Sequence, residues 1–340
     1  MTSRDPERKA RWGGSCTATP RNRHKDRGGS STATPTYWLF NHPAFFALAV
    51  ACLLAAGSLF AADPADRTML PPDFRKLVPL HKPLGKPLPG DWLSEHPERG
   101  QNYRQYLRAQ PVKIDAKRRV IYVQPLGELS DTQRKIIDLT ARHMAIYFDL
   151  PVMVRDGVPL DAVPRGARRA GPLGSQQILT TYLLYDVLRP RLPKDAVVII
   201  GLTATDLWPG EGWNYVFGQA SLSDRVGVWS IHRNGDPDAG EAALRLCLLR
   251  TMKTATHETG HMFSMAHCTL YACNMCGCNH MQESDRRPLE LCPHCLAKLC
   301  YATGADPARR FEKLIQFYQA NGMKAEREFC EKSLAALRGK

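Results

Sequence analysis

The amino-acid sequence predicts an α/β (α+β) fold, a twisted mixed β-sheet packed on a long helix, and three features predict it. Strand-like and helix-like segments alternate from Arg119 to Arg233, the order that builds a mostly parallel sheet with right-handed crossovers. Ala196-Val-Val-Ile-Ile-Gly201 is apolar without a break, as expected of a strand covered on both faces. A long helical segment begins near Asp238, and two more helices close the chain.

Composition sets the outer limits. At 340 residues, 44% hydrophobic and 23% charged, the chain can bury a full core without a disulfide scaffold. It holds a single long apolar run, which excludes a polytopic membrane protein. The net charge of +13 admits nucleic acid, an anionic membrane or an acidic substrate as partner. Its distribution argues against the first, because residues 1–42 hold eight Lys/Arg and three Asp/Glu and the remaining excess is spread thinly. No nucleic-acid partner is expected.

Taken in order, residues 1–42 are rich in Arg, Gly, Ser and Thr and are expected to form a disordered basic tail. Residues 43–62, PAFFALAVACLLAAGSLFAA, carry no charge and come directly after that basic stretch, which reads as a signal peptide or an uncleaved membrane anchor. The chain beyond residue 62 is then expected to be secreted, periplasmic or tethered to the membrane. Residues 63–111, with Pro71-Pro72, Lys82-Pro83 and Lys86-Pro87, read as a Pro-rich extended linker wrapping onto the domain.

Regular structure begins after that. Arg119–Gln124 is a strand, and Ser130 caps a helix through Phe148 with Ile136, Ile137, Thr140 and Met144 at helical spacing. Pro151–Arg155 is a short strand, Ser175 caps a second helix through Leu188, and Trp213–Ala220 and Gly227–Arg233 are two more strands. Helices over 307–320 and 324–338, separated by Asn321-Gly322, make 305–340 a C-terminal helical extension. Its stripe of Phe311, Leu314, Ile315 and Tyr318 is expected to face the domain.

The chemistry lies on the long helix, in Ala255-Thr-His-Glu-Thr-Gly-His261. His257 and His261 are four apart, so both imidazoles leave one helical face toward a single metal ion, with Glu258 beside them facing a metal-bound water. Zinc suits this arrangement, since it takes neutral imidazole nitrogens, keeps a position open and lowers the pKa of bound water. His267 lies six residues beyond His261, too far for the next helical turn, so a sharp bend must bring it back as a third ligand. The competing reading, a solvated helix face bearing two histidines, leaves His267 and the cysteines after it unexplained.

Seven of the eleven cysteines fall between Cys268 and Cys300, which marks a local site. Cys268 and Cys273, followed by Cys292-Pro-His-Cys295, supply four thiols in two short-spaced pairs, the donor set of a closed structural zinc site. Cys276 or Cys278 can replace Cys273 in that set, and His280, His294 and Cys300 add soft donors nearby. Disulfides are the alternative chemistry outside the cytoplasm, although C-x-x-C spacing suits an unstrained bridge poorly. Cys247 and Cys330 read as small buried residues, His232 as a structural or substrate-side residue, and Asp206 and Asn214 as cleft-lining groups or strand-end caps.

Together His257, Glu258, His261, His267, Cys268, Cys273, Met275, Cys292 and Cys295 resemble the archaemetzincin signature. Gly201–Leu207, Asn214–Ala220 and Val228–Arg233 are similar to sheet segments of that family, and the resemblance spans residues 112–304. It implies a zincin/metzincin-like metallopeptidase domain acting on peptide or protein substrates, with one catalytic and one structural zinc ion. By the same resemblance, His257, His261 and His267 are the catalytic zinc ligands and Glu258 is the general base. Cys268, Cys273, Cys292 and Cys295 hold the second zinc, and Met275 lies in a turn beneath the histidines. Ser264 departs from the metzincin pattern, which has a Gly there to end the helix with positive φ; the exchange is expected to cost about 1 kcal/mol and to alter the turn. The Met275-to-Cys292 gap is also one residue shorter than usual. A catalytically silent zinc-binding module for peptides or partners is the alternative function.

Overall fold

The computed structural model describes residues 12–14, 70–172 and 174–339. The expected signal or anchor segment, 43–62, and most of the basic tail lie outside the described residues. Among the described residues, no helix is long and apolar enough to cross a membrane.

Strand β1 (Trp12–Gly14) comes first, in the stretch expected to be disordered. Helices α1 (Pro72–Lys76), α2 (Trp92–Glu95) and α3 (Tyr103–Arg108) then occupy the segment expected to be an extended linker. That segment folds onto the domain because Leu70, Leu77, Trp92 and Tyr106 are all buried in it. Their wide spacing in the sequence conceals them from any periodicity test.

The central part comprises β2 (Val120–Leu126), α4 (Asp131–Phe148), β3 (Val152–Val154), β4 (Arg168–Ala170) and β5 (Gln176–Leu179). A helical segment α5 comes next, running from Thr180–Tyr182 through a π-helical Leu183–Leu188 to Arg189–Arg191. Then come β6 (Ala196–Thr203), β7 (Asp206–Trp208), β8 (Gly218–Ser221), β9 (Val226–Ser230) and the long helix α6 (Glu241–Met262). The C-terminal part holds α7 (Met281–Asp285), α8 (Pro293–Thr303), α9 (Pro307–Ala320) and α10 (Lys324–Arg338).

The main sheet is mixed, in the order β1-β8-β9-β6-β2-β3, with β9, β6, β2 and β3 parallel, β8 antiparallel to β9, and β1 antiparallel to β8 at the edge. A small second sheet, β4-β5-β7, lies beside it. Ser130 caps α4 as expected, inside a capping box with Gln133. Ser175 does not cap a helix: its hydroxyl donates to Asp206 Oδ2 at 3.1 Å, and Gln176–Leu179 pairs with β7 as a strand, so the helix starts only at Thr180. Pairing with a distant partner overrides the local capping signal here.

Asp206 is likewise no cleft residue. It is fully buried, accepts from Arg233 at 2.8 and 2.6 Å and from Gln177 at 2.8 Å, and so ties the small sheet to the turn after β9. The main-chain oxygen of Asn214 accepts from Arg169 and Gln177 in the same knot. β9 ends at Ser230, which leaves His232 exposed in that turn.

Along β6 the side chains alternate between two cores. Val198, Ile200 and Leu202 join Ile136, Met144, Met252 and Met262 from α4 and α6. Ile199 faces the other way, toward Leu183, Leu184 and Leu188 of α5. Gly201 lets α5 approach, because a Cβ there would stand 2.8 Å from Leu126 and 3.0 Å from Leu188. Cys247 and Cys330 are buried in the first core, as expected of small apolar residues.

Helix α9 packs on α4 through Phe311, Leu314 and Tyr318. Beneath it, fully buried Arg310 donates to Glu290 at 2.9 and 3.3 Å and to the Tyr147 carbonyl oxygen at 2.8 Å. Tyr318 also donates to Glu290, and His143 Nε2 lies 2.9 Å from the Tyr318 hydroxyl. Burial, helped by nearby Arg310, lowers the His143 pKa to about 3. Folded His143 therefore stays neutral while the unfolded chain protonates it below pH 6.5, so its contribution is complete above pH 6.5 and is lost as pH falls toward 3. His143→Gln, which keeps a hydrogen-bonding side chain without titrating, is expected to lose about 2 kcal/mol less than wild type between pH 6.5 and 5. Denaturant titrations of both proteins at the two pH values measure the difference.

Candidate metal centre and active site

Helix α6 passes beneath β8 and β9, and its last two turns are buried on every side. His257 and His261 leave the same face, their Nε2 atoms 3.0 Å apart. The chain then doubles back. Ser264 takes φ +64°, its N–H donates to His261 O at 2.8 Å, and Met265 N–H donates to Gly260 O at 3.1 Å. This brings His267 to the other two, with all three donor atoms within 4.8 Å of one another and all three residues buried.

Ser264 itself adopts the left-handed conformation that the metzincin pattern gives to Gly. Its hydroxyl donates to Leu222 O at 2.7 Å and accepts from Val112 N–H at 3.1 Å, and these bonds offset the backbone cost. Ser264→Ala keeps the strain and loses both bonds, so a loss of about 2 kcal/mol in denaturant stability is expected. Ser264→Gly trades the bonds for relief of strain and should stay within about 1 kcal/mol of wild type.

Each imidazole is held from behind. His257 Nδ1 lies 2.7 Å from Asn274 O, His261 Nδ1 lies 2.7 Å from Met265 O, and His267 Nδ1 lies 3.0 and 2.9 Å from the two oxygens of Glu98. These acceptors require the proton on Nδ1, so the Nε2 lone pairs converge. Burial, with His267 nearby, pushes His257 down to about 3, and burial with His257 nearby pushes His261 well down too. Both are neutral at pH 7. His267 Nε2 is buried with no hydrogen-bond partner. Two facing lone pairs at 3.0 Å and a third without a donor make a set that suits a cation, and neutral imidazoles suit zinc.

Glu258 is fully buried beside them. Its side chain lies against Gly218 of β8, where a Cβ would stand 2.8 Å from both Cγ and Oε1, so no larger residue fits there. Met275 packs against Gly260, where a Cβ would meet its sulfur at 2.5 Å.

The Sγ atoms of Cys268, Cys273, Cys292 and Cys295 also lie within 4.8 Å of one another, and all four residues are buried. None forms a disulfide. The Cys268–Cys292 separation of 3.6 Å is far beyond an S–S bond of about 2.05 Å and near the edge of about 3.8 Å in a tetrahedron of about 2.3 Å zinc–sulfur bonds. Cys292 precedes α8 and Cys295 lies in its first turn. Hydrogen bonds from neighbouring thiols, Cys273 first, hold the Cys268 thiol well below its ordinary range, while burial pushes those of Cys273 and Cys292 well up. Cys276 and Cys278 stand outside the four, the first donating to Tyr271 O at 3.2 Å and the second packing on Phe217.

Asp91, His280 and Glu283 converge as well, but their carboxylates are engaged. Glu283 accepts from the main-chain N–H groups of Trp92 and Asn279 and from Arg287, and Asp91 pairs with Arg286. This is an ion-pair knot that pins α2 to α7.

The sequence profile of peptidase family M54 matches residues 185–300. Over a longer stretch the chain is 33% identical to Archaemetzincin-2 of Macaca fascicularis, covering 75% of this chain and 79% of that one. The chain belongs to the archaemetzincin family. It is 32% identical to human Archaemetzincin-2 with the same coverage. The solved archaemetzincin from Methanopyrus kandleri is 28% identical and covers 56% of this chain and 99% of its own, with a TM-score of 0.46. As an archaemetzincin, the protein is a zinc metallopeptidase, a hydrolase of peptide bonds.

In this archaemetzincin a cavity of about 720 Å³ is lined by His261 and His267 together with Gln219. Trp92, His96 and Trp213 form one wall, their rings 4.3 to 6.5 Å apart. Trp92, His96 and Glu98 are the site residues that sequence reasoning missed. They come from the supposed linker, and Glu98 stands 169 residues from its partner His267, so no local pattern signals the contact.

Proposed function

We propose that the chain cleaves peptide bonds at His257, His261 and His267, which hold the catalytic zinc, with Glu258 as general base. Cys268, Cys273, Cys292 and Cys295 hold a second, structural zinc. The observation that carries this reading is the set of anchored Nδ1 atoms, which leaves three Nε2 lone pairs aimed at one point. A zinc ion bound there supplies Lewis acidity, polarising the scissile carbonyl and lowering the pKa of the attacking water.

The chain's own residues do the rest. Glu258 takes a proton from that water on its carboxylate and passes it to the nitrogen of the leaving amine. Gly218 confines the carboxylate from the sheet side. The cavity walled by Trp92, His96 and Trp213 accepts the peptide and displaces water from the carbonyl. For the thiols, the 3.6 Å sulfur separation supports zinc over disulfides. The uncharged run over 43–62 supports an exported or membrane-tethered location, which cell fractionation tests.

Metal analysis and a peptide library test the activity together. Two zinc ions per chain, cleavage abolished by a chelator and restored by zinc are expected. A zinc-loaded chain that cleaves no library member would instead be a silent binding module.

A further inference from the structure

We infer that Glu98 is a positioning residue for the third histidine, so that the segment before the sheet completes the metal centre. The inference rests on reading His257, His261 and His267 as a zinc site. His257 and His261 are fixed by α6, whereas His267 lies beyond the helix on a loop. The two helical histidines meet neutral carbonyl oxygens; His267 alone meets a carboxylate, at 2.9 and 3.0 Å.

Glu98 is itself held in place. Trp92 Nε1 donates to its Oε1 at 2.8 Å, and the Trp92 ring stands edge-on to His267 with centroids 5.2 Å apart. The neighbouring residues grip the loop on both sides of His267. Gln101 accepts from Ala266 N–H at 3.2 Å and donates to Ser264 O at 3.4 Å, and Lys298 donates to the Gln101 carbonyl oxygen. Gly100 lies so close to Thr269 that a Cβ would stand 2.3 Å from its hydroxyl.

A carboxylate behind a ligating imidazole fixes its tautomer and raises its donor strength, and removing such a partner costs about 10- to 100-fold in metal affinity. The test uses the full chain in zinc buffers of known free concentration, reading zinc content and the rate of zinc transfer to a chromophoric chelator. Glu98→Gln is expected to weaken the more labile zinc by about 10- to 100-fold and leave the thiol-held zinc unchanged. Glu98→Asp should recover part of the loss, and Glu95→Gln, on the exposed side of α2, should match wild type. Wild-type zinc retention by Glu98→Gln overturns the inference. A chain in which His261→Ala also retains both zinc ions overturns the underlying site assignment, a result the Glu98 variants alone do not produce.

Discussion

Glu258→Gln is expected to lower kcat/KM for peptide hydrolysis by about 10³-fold while both zinc ions stay bound. The substitution keeps the shape of a fully buried side chain that Gly218 touches and removes only its capacity to accept a proton. A loss of about 10³-fold corresponds to about 4 kcal/mol of transition-state stabilisation, the scale of one general base. Steady-state cleavage assays beside metal analysis read the two quantities separately. Loss of the labile zinc along with activity would make Glu258 a structural residue, and unchanged activity would assign the proton transfer to another group.

Cys292→Ser is expected to remove one zinc ion per chain and to cause the largest loss of stability among these variants. Structural zinc contributes about 10–16 kcal/mol in small zinc domains at neutral pH, and the four cysteines are buried in the main core. The effect should also reach the histidines. Cys273 belongs to the thiol cluster, Asn274 O receives His257 Nδ1, and Met275 packs on Gly260, so three consecutive residues serve both centres. Metal analysis and denaturant midpoints measure the outcome; unchanged zinc content and midpoint would remove Cys292 from the ligand set.

The features legible in the sequence are those that are local or periodic. The His257–His261 spacing, the Ser130 cap, the apolar run of β6 and the helices α9 and α10 all stand where the pattern puts them. Cys268, Cys273, Cys292 and Cys295 also come together in space, arriving in two short-spaced pairs. The features that were not legible depend on partners far along the chain. Ser175 has a sound capping signature, yet Asp206 and the β7 pairing claim it. β4 and β7 have three residues each, too short to show alternation. The supposed linker reads as extended because its prolines are conspicuous and its four buried anchors are scattered. Ser264 shows a further limit, since its residue type points to strain but not to the two hydrogen bonds that offset it.

The buried pair of Arg310 and Glu290 bears on how the chain can be divided. Glu290 lies within the span of the family profile and Arg310 lies beyond it. A cut between α8 and α9 would leave Glu290 as a bare carboxylate in an apolar interior, a defect of about 3–5 kcal/mol. It would also leave the main-chain carbonyl of Glu290, which receives Asn274 N–H at 3.1 Å, on a loosened loop one bond from His257. The last two helices are therefore not a detachable module. A truncated chain that keeps this pair intact must therefore run past the end of the family profile and through α9.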